Sequence, residues 1–271
     1  MTSVPPLTIT RDVHLMVASP LKGGAKADYL RALVGLATLA GREGYACSYA
    51  WLDGRGAMDR ARNGLVGVFL STRASHLVLV DGDVGFVAED IARAIDLMRR
   101  DDAYRVIVAS CPEARINWPV VAAASALGAA ETNPAVLEQF SGRFSFELVD
   151  NDGGLALDHP AELAWASAGL MVIERTVIES LCARHPETQY RAMPQDLVGG
   201  RPCETLHALF QPTIDPASGQ YLSVDMLFCQ RARAAGFRLW LAPWMQTTRT
   251  ASARFAGSLA ALGALSDEMP E

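Results

Sequence analysis

Lysine is almost missing from this chain: among 24 basic residues only Lys22 and Lys26 are lysines, and arginine carries the remaining positive charge. The formal net charge of −6 gives no general excess of positive charge, which argues against nonspecific binding to nucleic acid. No apolar run is long enough to cross a bilayer. Met1 to Thr10 lacks the apolar core of a signal peptide. Cysteine is sparse and unpatterned. Cys47, Cys111, Cys182, Cys203 and Cys229 are odd in number and include no Cys-x-x-Cys pair, so they read as reduced thiols of a cytoplasmic protein. Cys203 and His207 would lie together on a helix, but two ligands without partners do not make a zinc site. Internal repeats and low-complexity tracts are absent as well.

What is present suits a soluble domain of enzyme size. The 271 residues are 50% apolar and 20% charged, enough to bury a full core as one domain. Strand and helix patterns alternate from Val13 onward. Short apolar runs at Val13 to Ala18, Tyr45 to Leu52, His76 to Val80 and Val106 to Ser110 predict four strands. Helical spacing over Asp28 to Arg42, Met58 to Arg73 and Ala88 to Arg99 predicts the helices between them, with a loop at Pro20 to Gly24. This is the start of a mostly parallel, doubly wound sheet.

The second half is less regular. Phe144 to Val149, Leu163 to Trp165, Leu170 to Ile173 and Arg238 to Leu241 read as strands, and Thr176 to Arg184 and Asp225 to Ala235 as helices. Gln189 to Thr205 is polar, rich in Gly and Pro, and reads as a mobile loop over a site. The small apolar tail from Phe255 to Leu265 reads as a helix packed on the body, with membrane-surface contact as the alternative.

The most informative residues are Asp81, Gly82 and Asp83, which follow directly on the predicted strand His76 to Val80. A strand ending in Asp-x-Asp places two carboxylates at the carboxyl edge of a sheet, where α/β folds bind ligands. Asp83 suits a divalent cation, Mn²⁺ or Mg²⁺, and Asp81 can share it or reach a ribose, so a nucleoside diphosphate is the natural guest. The competing reading is that both residues cap a turn and the next helix.

Several stretches together resemble the GT-A nucleotide-sugar glycosyltransferases, in particular family-2-like bacterial and viral members. Val17-Ala18-Ser19-Pro20 is similar to their first strand and nucleotide loop, and Asp59-Arg60-Ala61-Arg62-Asn63 to an Arg-Asn element before the third strand. His76 to Phe86 resembles their strand with the Asp-x-Asp motif, and Ile116-Asn117-Trp118 follows the fourth strand as it does there. Trp165 to Arg175 is similar to an acceptor-side strand, and Tyr221 to Cys229 to a helix start with the pattern Ser-Glu-Asp. The resemblance covers Val13 to Leu259. It implies one GT-A domain, with a nucleotide-binding half at 13–110, an acceptor-side half at 111–259 and a tail at 260–271.

The resemblance also implies an activity: transfer of a sugar from a UDP- or GDP-linked donor to a hydroxyl of a glycan or lipid-linked acceptor. The expected location is cytoplasmic, with peripheral contact at the inner membrane surface as an option. Pro20, Asp53, Arg62, Asn63 and Asp81 are the expected nucleotide contacts, and Asp81 and Asp83 the metal ligands. Asp53 could accept from a uridine base or simply face solvent. Arg60 and Arg62 are two apart on a helix, so one at most reaches the nucleotide. Trp118, Trp165 and Gly169 are candidates for the sugars, against core packing as the plainer explanation. Asp225 is the candidate base, which implies inversion; as an ordinary helix cap it would have no such role.

Two positions leave the family pattern. Val224 stands where the resemblance implies Glu, and Arg249 where it implies a metal-binding His. An arginine there stays protonated, repels a cation and suits a diphosphate instead. A catalytically idle nucleotide-sugar-binding homologue is therefore the first alternative. A haloacid dehalogenase type phosphatase is the second, but it needs a lysine after the Asp-x-Asp strand and both lysines precede it.

Overall fold

The computed structural model describes residues 13–53, 57–150, 154–167, 169–196 and 204–252. The first half comprises β1 (His14–Leu21), α1 (Ala27–Glu43), β2 (Ala46–Asp53), α2 (Met58–Leu70), β3 (His76–Val80), β4 (Val84–Phe86), α3 (Ala88–Arg100) and β5 (Val106–Ala109). The second comprises α4 (Trp118–Ala126), β6 (Phe146–Leu148), β7 (Ala161–Ala166), β8 (Leu170–Glu174), α5 (Arg175–Arg184), β9 (Gln189–Arg191), β10 (Thr205–His207), β11 (Thr213–Ile214), β12 (Tyr221–Leu222), α6 (Val224–Ala234), β13 (Leu239–Ala242) and β14 (Thr247–Arg249). The architecture is mixed α/β with an eight-stranded central sheet in the order β2-β1-β3-β8-β5-β13-β7-β6.

The sheet is mostly of one direction. β2, β1, β3, β5, β13 and β6 run one way, and β8 and β7 run against them. β8 lies between β3 and β5, antiparallel to both, and its Leu-Met-Val-Ile run is buried throughout. That explains why its sequence shows no alternation: both faces of a central strand are covered by helices.

Two cores follow, one on each face. Tyr29, Leu33 and Leu36 of α1 meet Ile91 and Ile95 of α3 on one side. On the other, Leu65 and Phe69 of α2 meet Ile178 and Leu181 of α5 and Phe228 of α6. α1 forms because its apolar side chains recur at helical spacing, and it stops at Gly44, whose φ of 78° suits a residue without Cβ. The Arg175 guanidinium closes the end of α2 by donating to the carbonyls of Phe69, Thr72 and Ala74.

Three local readings need correction. Pro20 belongs to β1 and not to the following loop: the ladder to β3 has ended below it, at Ala18 opposite Leu79, so its missing N–H costs no bond on that side. Gln189 to Thr205 is not all loop, since β9 and β10 pair antiparallel and Asp196 between them is buried. Helix α4 has no charge and no apolar stripe, and periodicity therefore gave no sign of it. The tail Phe255 to Leu265 and Cys203 lie outside the described residues.

His76 opens β3 almost fully buried, with Nδ1 2.9 Å from the Ser75 hydroxyl. Burial lowers its pKa from 6.5 to about 4. The unfolded chain thus takes up a proton on this ring first, and its contribution to stability is complete above about pH 6.5 and lost as pH falls to about 4. Urea unfolding between pH 7 and pH 4 should show wild type losing about 3 kcal/mol more than His76→Asn. Equal losses would mean that the folded state accommodates the charged ring.

Candidate active site at the carboxyl edge of the sheet

The centre of the site is a buried guanidinium. Arg62, on the sheet-facing side of α2, donates through Nη2 to Asp81 Oδ1 at 3.0 Å and through Nη1 to Asp225 Oδ1. Asp81 follows the end of β3 and Asp225 lies in the first turn of α6, whose N-terminus is capped by Ser223 accepting from the Met226 N–H. Burial alone would lower the pKa of Arg62, but the carboxylates of Asp225 and Asp81 outweigh it and raise the pKa well above the usual value. The group is permanently charged.

A second arginine spans the outer side. Arg249, at the end of β14, lies 3.5 Å from Asp81 Oδ2 and 3.2 Å from Asp83 Oδ2. Strand β14 pairs with β4, and the Thr250 N–H donates to the Asp83 carbonyl, which fixes this arginine beside the Asp-x-Asp turn. Burial raises the pKa of Asp83 and Arg249 acts to lower it. Gly169 makes the arrangement possible. A Cβ there would overlap the Arg249 Nη2 and meet Cys111 Sγ at 3.0 Å. The Asp81 N–H also donates to the Gly169 carbonyl at 2.9 Å, so the glycine backs the site instead of lying open to a sugar.

The residues as arranged do not fit a divalent ion held by Asp81 and Asp83. A guanidinium already bridges the two carboxylates, and a cation between them would meet its charge. Among the described residues there is no cluster of three or more His, Cys, Asp or Glu side chains suited to a metal.

The other expected residues separate into distinct places. Asn63 is buried and clamps the Phe210 backbone, with Nδ2 donating to the carbonyl and Oδ1 accepting from the N–H. Its amide is thus engaged inside the protein and not with a nucleotide at the edge. Asp53 ends β2 and is exposed, one strand beyond Pro20 and Leu21. Trp118 is 65% exposed at the start of α4, and Trp165 donates to Glu147 at 2.6 Å. Arg60 points away from Arg62 and forms a fork on Asp196, at 2.9 and 2.6 Å. Sequence spacing indicated that the two arginines diverge. It gave no sign that Asp196, in a stretch of low periodicity, is the partner of one of them.

No protein-family model matches the chain, and neither does any curated protein. Similar solved structures include A197 from STIV, with 12% identity, a TM-score of 0.49, and coverage of 89% of this chain and 87% of that one. GalNAc-T7, solved with UDP, GalNAc and Mn²⁺, is 10% identical with a TM-score of 0.44. That alignment takes in 88% of this chain but only 44% of GalNAc-T7. A glycosyltransferase involved in the glycosylation of the major capsid of PBCV-1 is 11% identical, with a TM-score of 0.29 over 68% of this chain and 71% of its own.

Removing one partner of a buried ion pair leaves an uncompensated charge, which costs roughly 3–5 kcal/mol. Arg62→Met should therefore lower stability by about that amount in urea unfolding. Adding Asp225→Asn to that variant should recover part of the loss, because one stranded charge is gone. A double variant no more stable than the single would show that Arg62 contributes by packing on Phe210, whose ring centroid is 5.8 Å away.

Proposed function

We propose that this protein is a glycosyltransferase of the GT-A type, moving a sugar from a UDP- or GDP-linked donor to a hydroxyl of a glycan or lipid-linked acceptor. The observation that carries this reading is the convergence of Arg62, Arg249, Asp81, Asp83 and Asp225 on one edge of the sheet. The order of the sequence motifs supports it. Sugar transfer needs a diphosphate leaving group neutralised, an acceptor hydroxyl deprotonated and both aligned.

In this reading the two arginines divide the work. Arg62 is 4% exposed and holds its carboxylates in place. The Arg249 side chain is 19% exposed, and its contacts to Asp83 are the longer ones, at 3.2 and 3.3 Å. It is the group that turns to the diphosphate and offsets the negative charge growing on it. Pro20 and Asp53 line the nucleotide end. Asp225 accepts the proton of the acceptor hydroxyl from the face opposite the leaving group, and the configuration at the anomeric carbon inverts.

One observation favours the alternative of an idle binding homologue. Asp225 is tied to Arg62 and the neighbouring carboxylate expected from the resemblance is replaced by Val224. The phosphatase reading is weaker, because Asp81, its required nucleophile, is held between two guanidinium groups.

Binding of UDP or GDP should raise the melting temperature, corresponding to about 2.7 kcal/mol at a hundredfold excess over Kd. Asp225→Asn should keep that shift and lose roughly 10²- to 10⁴-fold in transfer or donor hydrolysis. No stabilisation by any nucleoside diphosphate at millimolar concentration would end the transferase reading. A stabilising nucleotide with no turnover in wild type would establish the idle homologue.

Metal dependence is the other test. Donor binding should persist in EDTA with little gain from Mn²⁺, and Arg249→Ala should weaken it by roughly 10- to 100-fold, the value of a charged hydrogen bond. An absolute need for Mn²⁺ together with a silent Arg249→Ala would contradict the role given to this arginine.

A further inference from the structure

A cavity of about 360 Å³, whose lining includes none of Arg62, Asp81, Asp83, Asp225 and Arg249, opens between α2, β9 with the segment before it, and α6. Its wall includes Asp59, Arg60, Glu187, Tyr190, Gln211 and Arg231. Two of the charged groups are anchored within the protein. Arg60 is forked onto the buried Asp196, and Arg231 Nη1 donates to the Ala208 carbonyl at 2.9 Å, while the side chain of Glu187 is exposed. The two anchored side chains lose little further freedom when a ligand arrives.

The lining mixes both signs with an amide and an aromatic ring, the combination that meets a ligand carrying many hydroxyls. Each hydroxyl both donates and accepts, so carboxylates, guanidinium groups and an amide can all be used at once. A phosphate would face Asp59 and Glu187, and an ammonium would face the two arginines. The volume lies at the lower end for small-ligand sites.

The cavity is also placed on the helices that carry the active edge. Arg62 and Arg60 leave α2 in different directions, one to Asp225 and one to the cavity. Arg231 lies six residues after Asp225 on α6, about 9 Å along the axis. We propose that this cavity is a distal carbohydrate subsite, taking a neutral sugar unit of the acceptor chain other than the one that receives the new bond. The identity of the occupant as part of an acceptor rests on the transferase reading; the cavity as a saccharide site does not.

A glycan array probed with the intact wild-type protein tests it. Neutral glycans should bind, with or without saturating UDP. Gln211→Ala should weaken binding about tenfold, the worth of one well-made hydrogen bond to a partly buried group. Gln211→Trp, which fills the space without removing an anchor, should abolish it while melting within a degree or two of wild type. Binding of no glycan, or binding that Gln211→Trp leaves intact, overturns the proposal. Nucleotide stabilisation without array binding would remove the subsite and leave the transferase reading standing. Array binding lost in Gln211→Trp, in a protein that no nucleotide stabilises, would keep the saccharide site and remove the transferase.

Discussion

The arrangement depends on one buried cation. Placing Arg62 at 4% exposure between α2, β3 and α6 carries a desolvation cost, offset only because Asp81 and Asp225 meet it from opposite sides. Everything at the edge is registered against it. The Phe210 backbone is held by the Asn63 amide and its ring stacks on Phe228 with centroids 4.6 Å apart, which ties the helix carrying Asp225 to the helix carrying Arg62. Two carboxylates from distant parts of the chain are thereby brought to a single charge. An apolar pair would pack as well, but it would present no fixed charges to a ligand.

The outer arginine rests on that frame. Arg249 has room only because position 169 lacks a side chain, and its guanidinium spans Asp81 and Asp83. A fork of N–H donors serves a diphosphate differently from a metal: it supplies charge without needing ligands of its own. Its contacts to Asp83 are longer than those within the Arg62 cluster, and its side chain is the more exposed of the two. The edge combines a buried inner cation with a more exposed outer one.

Much of the fold was legible in the sequence because alternation of strand and helix leaves a period. α1, α2 and α3 are where apolar spacing puts them, and Asp81-Gly82-Asp83 lies at the end of β3. α4 was not legible: apolar on every side, it has no stripe to read. Nor were β4 and β14, three residues each, whose pairing depends on a contact across more than 160 positions. At the site, residue types single out the side chains that meet at this edge but not which of them pair. Sequence reading puts Arg62, Asp81 and Asp225 at one edge, but nothing in their spacing shows that one guanidinium joins the two carboxylates. Asn63 shows the reverse problem, since an amide beside an arginine suggests a ligand and here secures the backbone of Phe210. Gln189 to Thr205 reads as a loop because its order comes from an ion pair of Asp196 to Arg60 and the short pairing of β9 with β10, neither of which leaves periodicity.

The division between a fixed and an exchangeable arginine is tested most directly by nitrogen-15 NMR of the arginine side chains, with Arg62 and Arg249 assigned by substitution and followed through a UDP titration in EDTA. The account predicts that the Arg249 Nε–H signal moves with the nucleotide while that of Arg62 stays in place and remains protected from exchange. A shift confined to Arg62, or a spectrum in which UDP moves neither until Mn²⁺ is added, would contradict it.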